Sequence, residues 1–174
     1  MKNLNKFTII IIIFFSVFNN LHADLPRYLD FKKVLNESAA GSKAQKILKK
    51  KYEDGIKKLS SLEKNIQEEE KKTIQQKKLI SEAEYKKKIS ELRSKVSNLQ
   101  SERKKILEDV AKQRSFAKTE LLKNLNPLLK DYMKEKNIRL VLDKKDLILA
   151  DENLDITKDI MDLLNKRLKT IKLN

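Results

Sequence analysis

The chain has 174 residues, of which 37% are charged, and its formal net charge is +15. It contains no Cys, no Trp, one His, two Gly and two Pro, a composition that suits long solvated helices better than a thick globular core. The lack of Cys excludes disulfides as a source of stability, so packing or assembly must supply it.

The first 23 residues predict a secretory signal peptide. Lys2 and Lys6 precede a largely apolar run of 12 residues at 7–18, and Leu21-His22-Ala23 ends in a small residue that suits cleavage. We expect cleavage after Ala23, which leaves an exported chain with a net charge of +13 and no His. The alternative is an uncleaved membrane anchor. However, twelve helical residues rise only about 18 Å, and a bilayer core is about 30 Å thick.

Residues 25–42 predict a short strand followed by a turn of helix. The strand covers residues 25–31, and Pro26 restricts it to a sheet edge or to the start of a strand. Residues 31–36 predict the turn of helix. Residues 38–42 then break the pattern before a long helical region.

Residues 43–125 predict a helical hairpin arm with its tip near residues 80–83. Apolar residues recur at helical spacing along both halves, and the outgoing half thins out beyond Ile66. Ser81 and Glu84 have the spacing of a capping box, and Ile80 and Tyr85 that of a hydrophobic staple. The returning half has the alternating three- and four-residue steps of a coiled-coil seam.

The C-terminal part predicts the end of the returning helix, two strands and a last helix. Pro127 either kinks the returning helix or starts a new one capped by Asn126. Residues 138–142 and 147–150 predict a β-hairpin joined by the polar residues 143–146. Thr157 is the expected cap of an amphipathic helix that covers the sheet.

Together these elements predict an α+β fold with a small β-sheet body and a long inserted helical coiled-coil arm. Residues 24–42 and 126–174 form the body, and residues 43–125 form the arm. A sheet this small leaves unpaired edges and little apolar support, so we expect the body to oligomerise. The expected core residues of the oligomeric body are Tyr28, Leu29, Leu140, Leu142, Leu147 and Leu149.

Several short motifs follow one another along the chain: Tyr28-Leu29-Asp30, Lys33-Val34-Leu35-Asn36, Ser38-Ala39-Ala40-Gly41, the charged hairpin, Leu140-Val141-Leu142-Asp143 and Asp155-Ile156-Thr157. Their order and spacing resemble those of the Skp/OmpH-like family of periplasmic chaperones. The resemblance covers the whole mature chain. Asn137 departs from the family, which often has Gly before the second strand, and Pro26 departs from its usual first strand.

The resemblance implies a periplasmic homotrimer whose bodies assemble into a β-barrel-like core and whose arms surround a cavity. It implies an ATP-independent holdase whose partners are unfolded outer-membrane β-barrel proteins. The apolar stripes of the two arm segments could bind these clients. They consist of Tyr52, Ile56, Leu59, Leu62 and Ile66 on the outgoing half and Tyr85, Ile89, Leu92, Val96 and Leu99 on the returning half. We interpret most of both stripes as the hairpin seam, because two exposed stripes would aggregate. Ile74 and Leu79, near the loosely packed tip, remain candidates for client binding.

A row of lysines recurs every seven residues along the outgoing arm. With Tyr52, Leu59 and Ile66 at heptad position a, the row occupies position f and faces away from the partner helix. It is either a solvated outer face or a track for anionic lipid, lipopolysaccharide or acidic client segments. The row, called the lysine row below, consists of Lys43, Lys50, Lys57, Lys64, Lys71 and Lys78.

No pattern in the chain favours catalysis, a metal site or a cofactor. The mature chain lacks His, Cys and a Gly-rich phosphate loop. Residues 151–155 have the odd-position pattern of a calcium loop, but Ile156 stands where that loop requires Gly and Asp162 where it prefers Glu, which favours a turn and a helix cap. An envelope adaptor that binds an acidic partner through the lysine row is the alternative function. Nucleic-acid binding is permitted by the charge but is not expected of an exported chain.

Overall fold

The computed structural model describes residues 25–173. The predicted signal peptide, with its cleavage after Ala23, lies outside them. Turns of 3-10 helix at Gln76–Lys78, Lys144–Asp146 and Glu152–Leu154 connect the main elements. In chain order, those elements are strand β1 (Arg27–Leu29), helix α1 (Phe31–Glu37), helices α2 (Ala39–Gln75) and α3 (Glu82–Glu135), strand β2 (Val141–Asp143) and helix α4 (Thr157–Arg167).

Helices α2 and α3 form the long hairpin that the sequence predicts. They contain 37 and 54 residues, which correspond to about 55 Å and 80 Å of helix. Pro127 lies inside α3, which continues to Glu135, so no new helix starts there and Asn126 is not a cap. Within residues 25–173, no helix combines the length and the apolar character needed to cross a bilayer.

The sheet has two short strands that pair in parallel. Tyr28 lies opposite Leu142, and the N–H of Arg27 donates to the carbonyl of Leu140 at 3.0 Å. Tyr28 also forms a parallel bridge to Asp155 on the other side of β1. Parallel strands need a crossover connection, and here α1 and the complete hairpin supply it. The arm is therefore an insertion between the two strands of the body, as predicted.

The predicted β-hairpin between residues 138–142 and 147–150 is wrong. Residues 147–150 form no strand, and β2 takes its hydrogen bonds from β1 instead. The polar segment between them forms a 3-10 turn, in which the Asp143 carboxylate accepts the Lys145 N–H at 3.3 Å. Strand formation depends on the available partner more than on local composition, which explains the error.

Residues 155–157 connect the sheet to two helices. Asp155 Oδ1 accepts the N–H of Thr157, and Thr157 Oγ1 accepts the N–H of Asp30, both at 2.8 Å. Thr157 is thus the first residue of α4, and the prediction that it caps the helix is wrong. Partial burial would raise the pKa of Asp155, but hydrogen bonds from Thr157 and Lys144 outweigh burial and hold its pKa below the ordinary value.

The hydrophobic core lies where α1 and α4 meet the root of the hairpin. Ala44 of α2 and Ala117 and Leu121 of α3 belong to it, so the core extends into the range predicted for the arm. Most of the fully buried apolar side chains lie in this core, among them Val34, Leu125, Ile160 and Leu164. Because burying one large aliphatic side chain contributes about 1.5–3 kcal/mol, the core supplies most of the stabilisation from apolar burial.

The start of α2 packs closely against the end of α1. Ser38, in the segment predicted to break the helical pattern, caps α2 by accepting the N–H of Gly41 at 3.2 Å. A Cβ on Gly41 would lie 2.0 Å from the carbonyl oxygen of Leu35. Only Gly fits at this contact, which fixes the direction in which the arm leaves the body.

The backbone conformation at the end of α3 explains why Asn can occupy position 137. This residue has a φ of 54°, a left-handed conformation that favours Gly and, after it, Asn. The N–H of Ile138 donates to the carbonyl of Met133 at 2.8 Å, which closes the helix end. Asn137 therefore supplies the left-handed residue that ends the helix, a backbone position that Gly would also suit.

Candidate functional site

The base of the hairpin contains an open groove between α2 and α3. Its volume is about 870 Å³, and it lies directly above the packed root formed by Ala44 and Ala117. Leu48, Tyr52, Leu107 and Val110 line its floor. Leu48 is buried, but Tyr52 and Leu107 are 42% and 49% exposed, so apolar surface remains accessible to a partner. We call this feature the basal groove.

The rim of the basal groove is basic. Lys46 and Lys49 line it from α2, and Arg114 and Lys118 line it from α3. Among the described residues, its lining contains these four basic side chains and no acidic one. Lys49 makes an exposed ion pair with Glu53 at 3.7 Å, whereas the other three have no carboxylate partner within residues 25–173. The groove therefore combines an apolar floor with positive charge on both sides.

The two helices approach closely just beyond the groove. A Cβ on Gly55 would lie 2.9 Å from Cγ2 of Ile106, so the missing side chain allows the contact. Lys51 and Asp109 form an ion pair at 2.6 Å beside it. The hydrogen bond from Lys51, reinforced by one from Gln113, lowers the pKa of Asp109 below its ordinary value. This contact closes the upper end of the groove.

The predicted seam between the arms is confirmed only in part. Leu59, Leu92 and Leu99 are buried, and Ile66, Tyr85 and Ile89 are half-buried. The remaining residues of the predicted seam, which are Tyr52, Ile56, Leu62 and Val96, are 37–44% exposed. The two helices therefore leave an interrupted apolar stripe accessible along the arm.

Polar contacts across the hairpin supplement this thin seam. Lys58 pairs with Glu102 and Arg103 with Glu63, both at 3.7 Å, and Lys95 pairs with Glu69. All of these side chains are 44–68% exposed, and such pairs contribute about 0–1 kcal/mol each. The distal arm is consequently held by weaker forces than the body.

The tip carries exposed apolar residues beside positive charge. Leu79 is 82% exposed and Ile74 is 56% exposed, as expected for candidate client contacts. The predicted cap is present, since Ser81 Oγ accepts the N–H of Glu84 at 3.3 Å. The ammonium group of Lys77 lies 5.6 Å from the centre of the Tyr85 ring, a cation–π distance.

All six members of the lysine row are exposed, and they lie along one side of the outgoing arm. Lys78 belongs to the 3-10 turn at the tip, and Lys43 at the base donates a long hydrogen bond to Thr170 at 3.5 Å. Within residues 25–173, no carboxylate forms an ion pair with any of the six. The row is thus a stripe of roughly 40 Å from Lys43 to Lys71, not a compact pocket.

The residues predicted for the core of the oligomeric body divide into three groups. Tyr28 and Leu29 are 5% and 3% exposed and are core residues of the single chain. Leu142 and Leu147 are half-buried. Leu140 and Leu149 are 51% and 91% exposed in the single chain, and the strand expected to carry Leu149 does not form. A role for them between subunits stays a prediction.

Sequence reasoning missed the basal groove. Its residues do not lie on a single periodic stripe, and the groove depends on how far apart the two helices lie. The sequence signal for it is Gly55, which lies inside the helical pattern of the outgoing arm, where an isolated Gly can mark a close approach of two backbones. Among residues 25–173, no group of three His, Cys, Asp or Glu side chains is placed to hold a metal ion.

Comparison with known proteins identifies the fold and the family. The structure superposes on the crystal structure of a protein from Caulobacter crescentus described as an OmpH-like outer membrane chaperone, with a TM-score of 0.78 and 19% sequence identity. The match covers 86% of this chain and 90% of the other. No curated protein matches the chain. The family model for OmpH-like outer membrane proteins matches residues 27–164, and the chain therefore belongs to the OmpH-like family.

Proposed function

We propose that the protein is an ATP-independent periplasmic holdase that binds unfolded outer-membrane proteins between helical arms. It prevents their aggregation during transit to the outer membrane. The observation that carries the proposal is the family match over residues 27–164, on a fold with a long arm rooted in a small body. The description of the Caulobacter relative as an outer membrane chaperone supports it.

The working form in this proposal is a homotrimer joined through the bodies. Leu140, Ile148 and Leu149 are 51%, 105% and 91% exposed beside a sheet of two strands. β2 has β1 as its only neighbouring strand among the described residues, so its other edge is available for pairing. Assembly would cover this apolar surface and bring three arms around one axis.

Client binding would use many weak contacts along the arms. Apolar contacts are available at several positions along the arm, namely in the basal groove, on the interrupted apolar stripe, and at the exposed Ile74 and Leu79. The net positive charge attracts acidic segments over roughly a Debye length, about 8–10 Å at physiological salt. Because no single contact is strong, a client can rearrange while it stays bound. The weakly held distal arm would open and close around it.

The decisive experiment measures oligomeric mass and aggregation together. The mature protein should be a trimer by light scattering, and it should suppress aggregation of an unfolded membrane β-barrel protein without nucleotide. A compact monomer without this activity would refute the proposal.

A pair of matched variants tests the assembly surface. Ile148→Asp combined with Leu149→Asp should convert the trimer to a monomer, because burying two unpaired carboxylates is costly. Leu79→Asp at the tip changes a similarly exposed residue far along the chain from this surface and should leave the mass unchanged. Retention of the trimer in the double variant would exclude this surface as the interface.

An envelope adaptor remains the second candidate, because six exposed lysines that have no ion-pair partner within residues 25–173 form one stripe. Such a stripe could bind anionic lipid, lipopolysaccharide or an acidic protein. Replacing Lys50, Lys57, Lys64 and Lys71 with Gln should abolish partner binding if the protein is an adaptor. In a holdase the same variant should only slow client capture.

A further inference from the structure

The basal groove has the features of a peptide-binding site that is distinct from the outer lysine row. We propose that it binds unfolded polypeptide segments in which apolar side chains lie next to acidic ones. The inference rests on the proposed holdase function and assigns a client chemistry to a defined place on each arm. Tyr52 and Leu107 would receive the apolar side chains, and Arg114 and Lys118 would pair with the carboxylates.

The charge distribution is the first argument for an acidic partner. Lys46 of α2 and Arg114 and Lys118 of α3 face the same groove without a carboxylate partner in the described part of the chain. Elsewhere on the arm, Lys51, Lys58 and Arg103 pair with acidic residues of the opposite helix. The cross-arm pairing is thus missing at the basal groove. A partner that supplies carboxylates would complete the pattern.

The shape of the groove favours a polypeptide over a lipid. A volume of about 870 Å³ is large enough for several side chains, and sites that enclose a small ligand usually bury 70–90% of its surface. This groove is open to solvent along one side, so a bound acyl chain would keep that side in water. A chain segment can place alternate side chains in a shallow groove and leave the others in solvent.

The position of the groove also suits reversible binding. Below it the helices are joined by the core, through Ala117 and Leu121, and above it by the close contact of Gly55 with Ile106. The groove walls are therefore fixed at both ends. A segment that enters needs no rearrangement of the hairpin, which reduces the cost of binding.

The test uses the full mature protein and two short fluorescent peptides, one alternating Leu with Asp and one alternating Leu with Lys. Fluorescence anisotropy should show binding of the Leu–Asp peptide. The triple variant Lys46→Glu, Arg114→Glu and Lys118→Glu should weaken this binding about tenfold or more, and it should bind the Leu–Lys peptide better than the wild type does. Leu107→Ser should also weaken binding of the Leu–Asp peptide.

The matched control reverses three exposed lysines on the opposite face of α3, and it changes the net charge by the same amount. These residues lie at helical positions about half a turn from the groove. Their reversal should alter peptide affinity less than twofold. Equal losses in both triple variants would overturn the proposal, because binding would then follow net charge alone. The control variant is Lys105→Glu, Lys112→Glu and Lys123→Glu.

Two further outcomes separate this inference from its alternatives. If the groove variant loses binding to phosphatidylglycerol vesicles but keeps the Leu–Asp peptide, the occupant is a lipid and the proposal is wrong. If the wild type suppresses aggregation but does not bind the peptide, the groove proposal fails and the holdase survives. If the peptide binds as described but aggregation is not suppressed, the holdase proposal fails while the groove assignment stands.

Discussion

The body and the distal arm are stabilised by different forces. In the body, Val34, Leu125, Ile160 and Leu164 are fully inaccessible, and hydrogen bonds join segments more than a hundred residues apart. In the arm beyond the basal groove, the buried apolar side chains among the described residues are Leu59, Leu92 and Leu99, supplemented by exposed ion pairs. The chain therefore concentrates its stability in the smaller region.

This difference implies that the arm can deform without unfolding the body. Local opening free energies follow the number of buried apolar contacts, and the arm has few of them per turn of helix. A surface that must accept clients of different shapes benefits from such compliance. The rigid body, in contrast, sets the direction from which the arm extends. Four pairs of substitutions test this contrast, from the largest expected effect to the smallest.

The same substitution at two glycines of α2 should have very different effects. Gly41→Ala places a methyl group 2.0 Å from the Leu35 carbonyl oxygen, so helix α1 must move. We expect a loss of about 3 kcal/mol or more in the free energy of unfolding, measured by urea titration followed by circular dichroism.

Gly55→Ala is the matched control in the arm. Its methyl group meets the Ile106 side chain, which can rotate, and Ala gains up to about 1 kcal/mol of helix propensity over Gly. The net change should be within about 1 kcal/mol. Similar losses in both variants would contradict the view that the body is the rigid region.

Truncation of Leu59 should loosen the arm alone. This side chain is 2% exposed, and a Leu→Ala change at a buried site costs about 2–5 kcal/mol. Hydrogen exchange should accelerate around residues 52–66 and 92–106 and remain unchanged in the body. Leu125→Ala, in contrast, should accelerate exchange throughout the molecule. Faster exchange in α4 of the Leu59 variant would argue against independent arm opening.

Substitutions of Asn137 should change the free energy of unfolding by less, and the sign of the change should depend on the new residue. Asn137→Ala should reduce stability by about 1 kcal/mol, because Ala tolerates a φ of 54° poorly. Asn137→Gly should be neutral or stabilising by up to about 1 kcal/mol. The change belongs to the body, so urea titration should detect it in the global transition. Equal effects of the two variants would mean that the helix end does not require this conformation.

The smallest predicted effect is a dependence of body stability on acid pH. The pKa of Asp155 in the folded chain lies below the ordinary aspartate value of 3.8, so the unfolded state binds a proton first as the pH falls. The stabilisation is present above about that value and is lost as the pH falls through the folded pKa. In Asp155→Asn, the free energy of unfolding measured by urea titration should depend less on pH below pH 3.8 than it does in the wild type. Asp109→Asn, which removes a similar carboxylate from the arm, should leave the global transition unaltered.

Local signals explain what the sequence predicted correctly. The hairpin follows from apolar spacing, and its turn follows from Ser81 and Glu84, three residues apart. The short first strand and the helix after it also depend on neighbouring residues. The family followed from the order of motifs along the chain, and the matched range confirms it.

Non-local pairing explains what the sequence did not predict. The partner of β2 lies more than a hundred residues away, and nothing in residues 138–150 distinguishes pairing with β1 from pairing with each other. Thr is common at helix N-caps, which is why the sequence predicts a cap at Thr157. In the structure its hydroxyl instead accepts the N–H of Asp30, a residue far away in the chain. The basal groove depends on the separation of two helices, which no local pattern encodes. The client and lysine-row assignments stay predictions.

The parallel pairing of β1 with β2 also constrains the order of folding. β1 is synthesised before the arm and β2 after it, so the sheet cannot close until about 140 residues of the chain have been made. The hairpin contacts are sequential neighbours across one turn and can form early. Once formed, the hairpin brings its two ends together and removes most of the loop-closure cost of the sheet. The hairpin thus brings the segments of the body together. Once assembled, the body in turn anchors the hairpin.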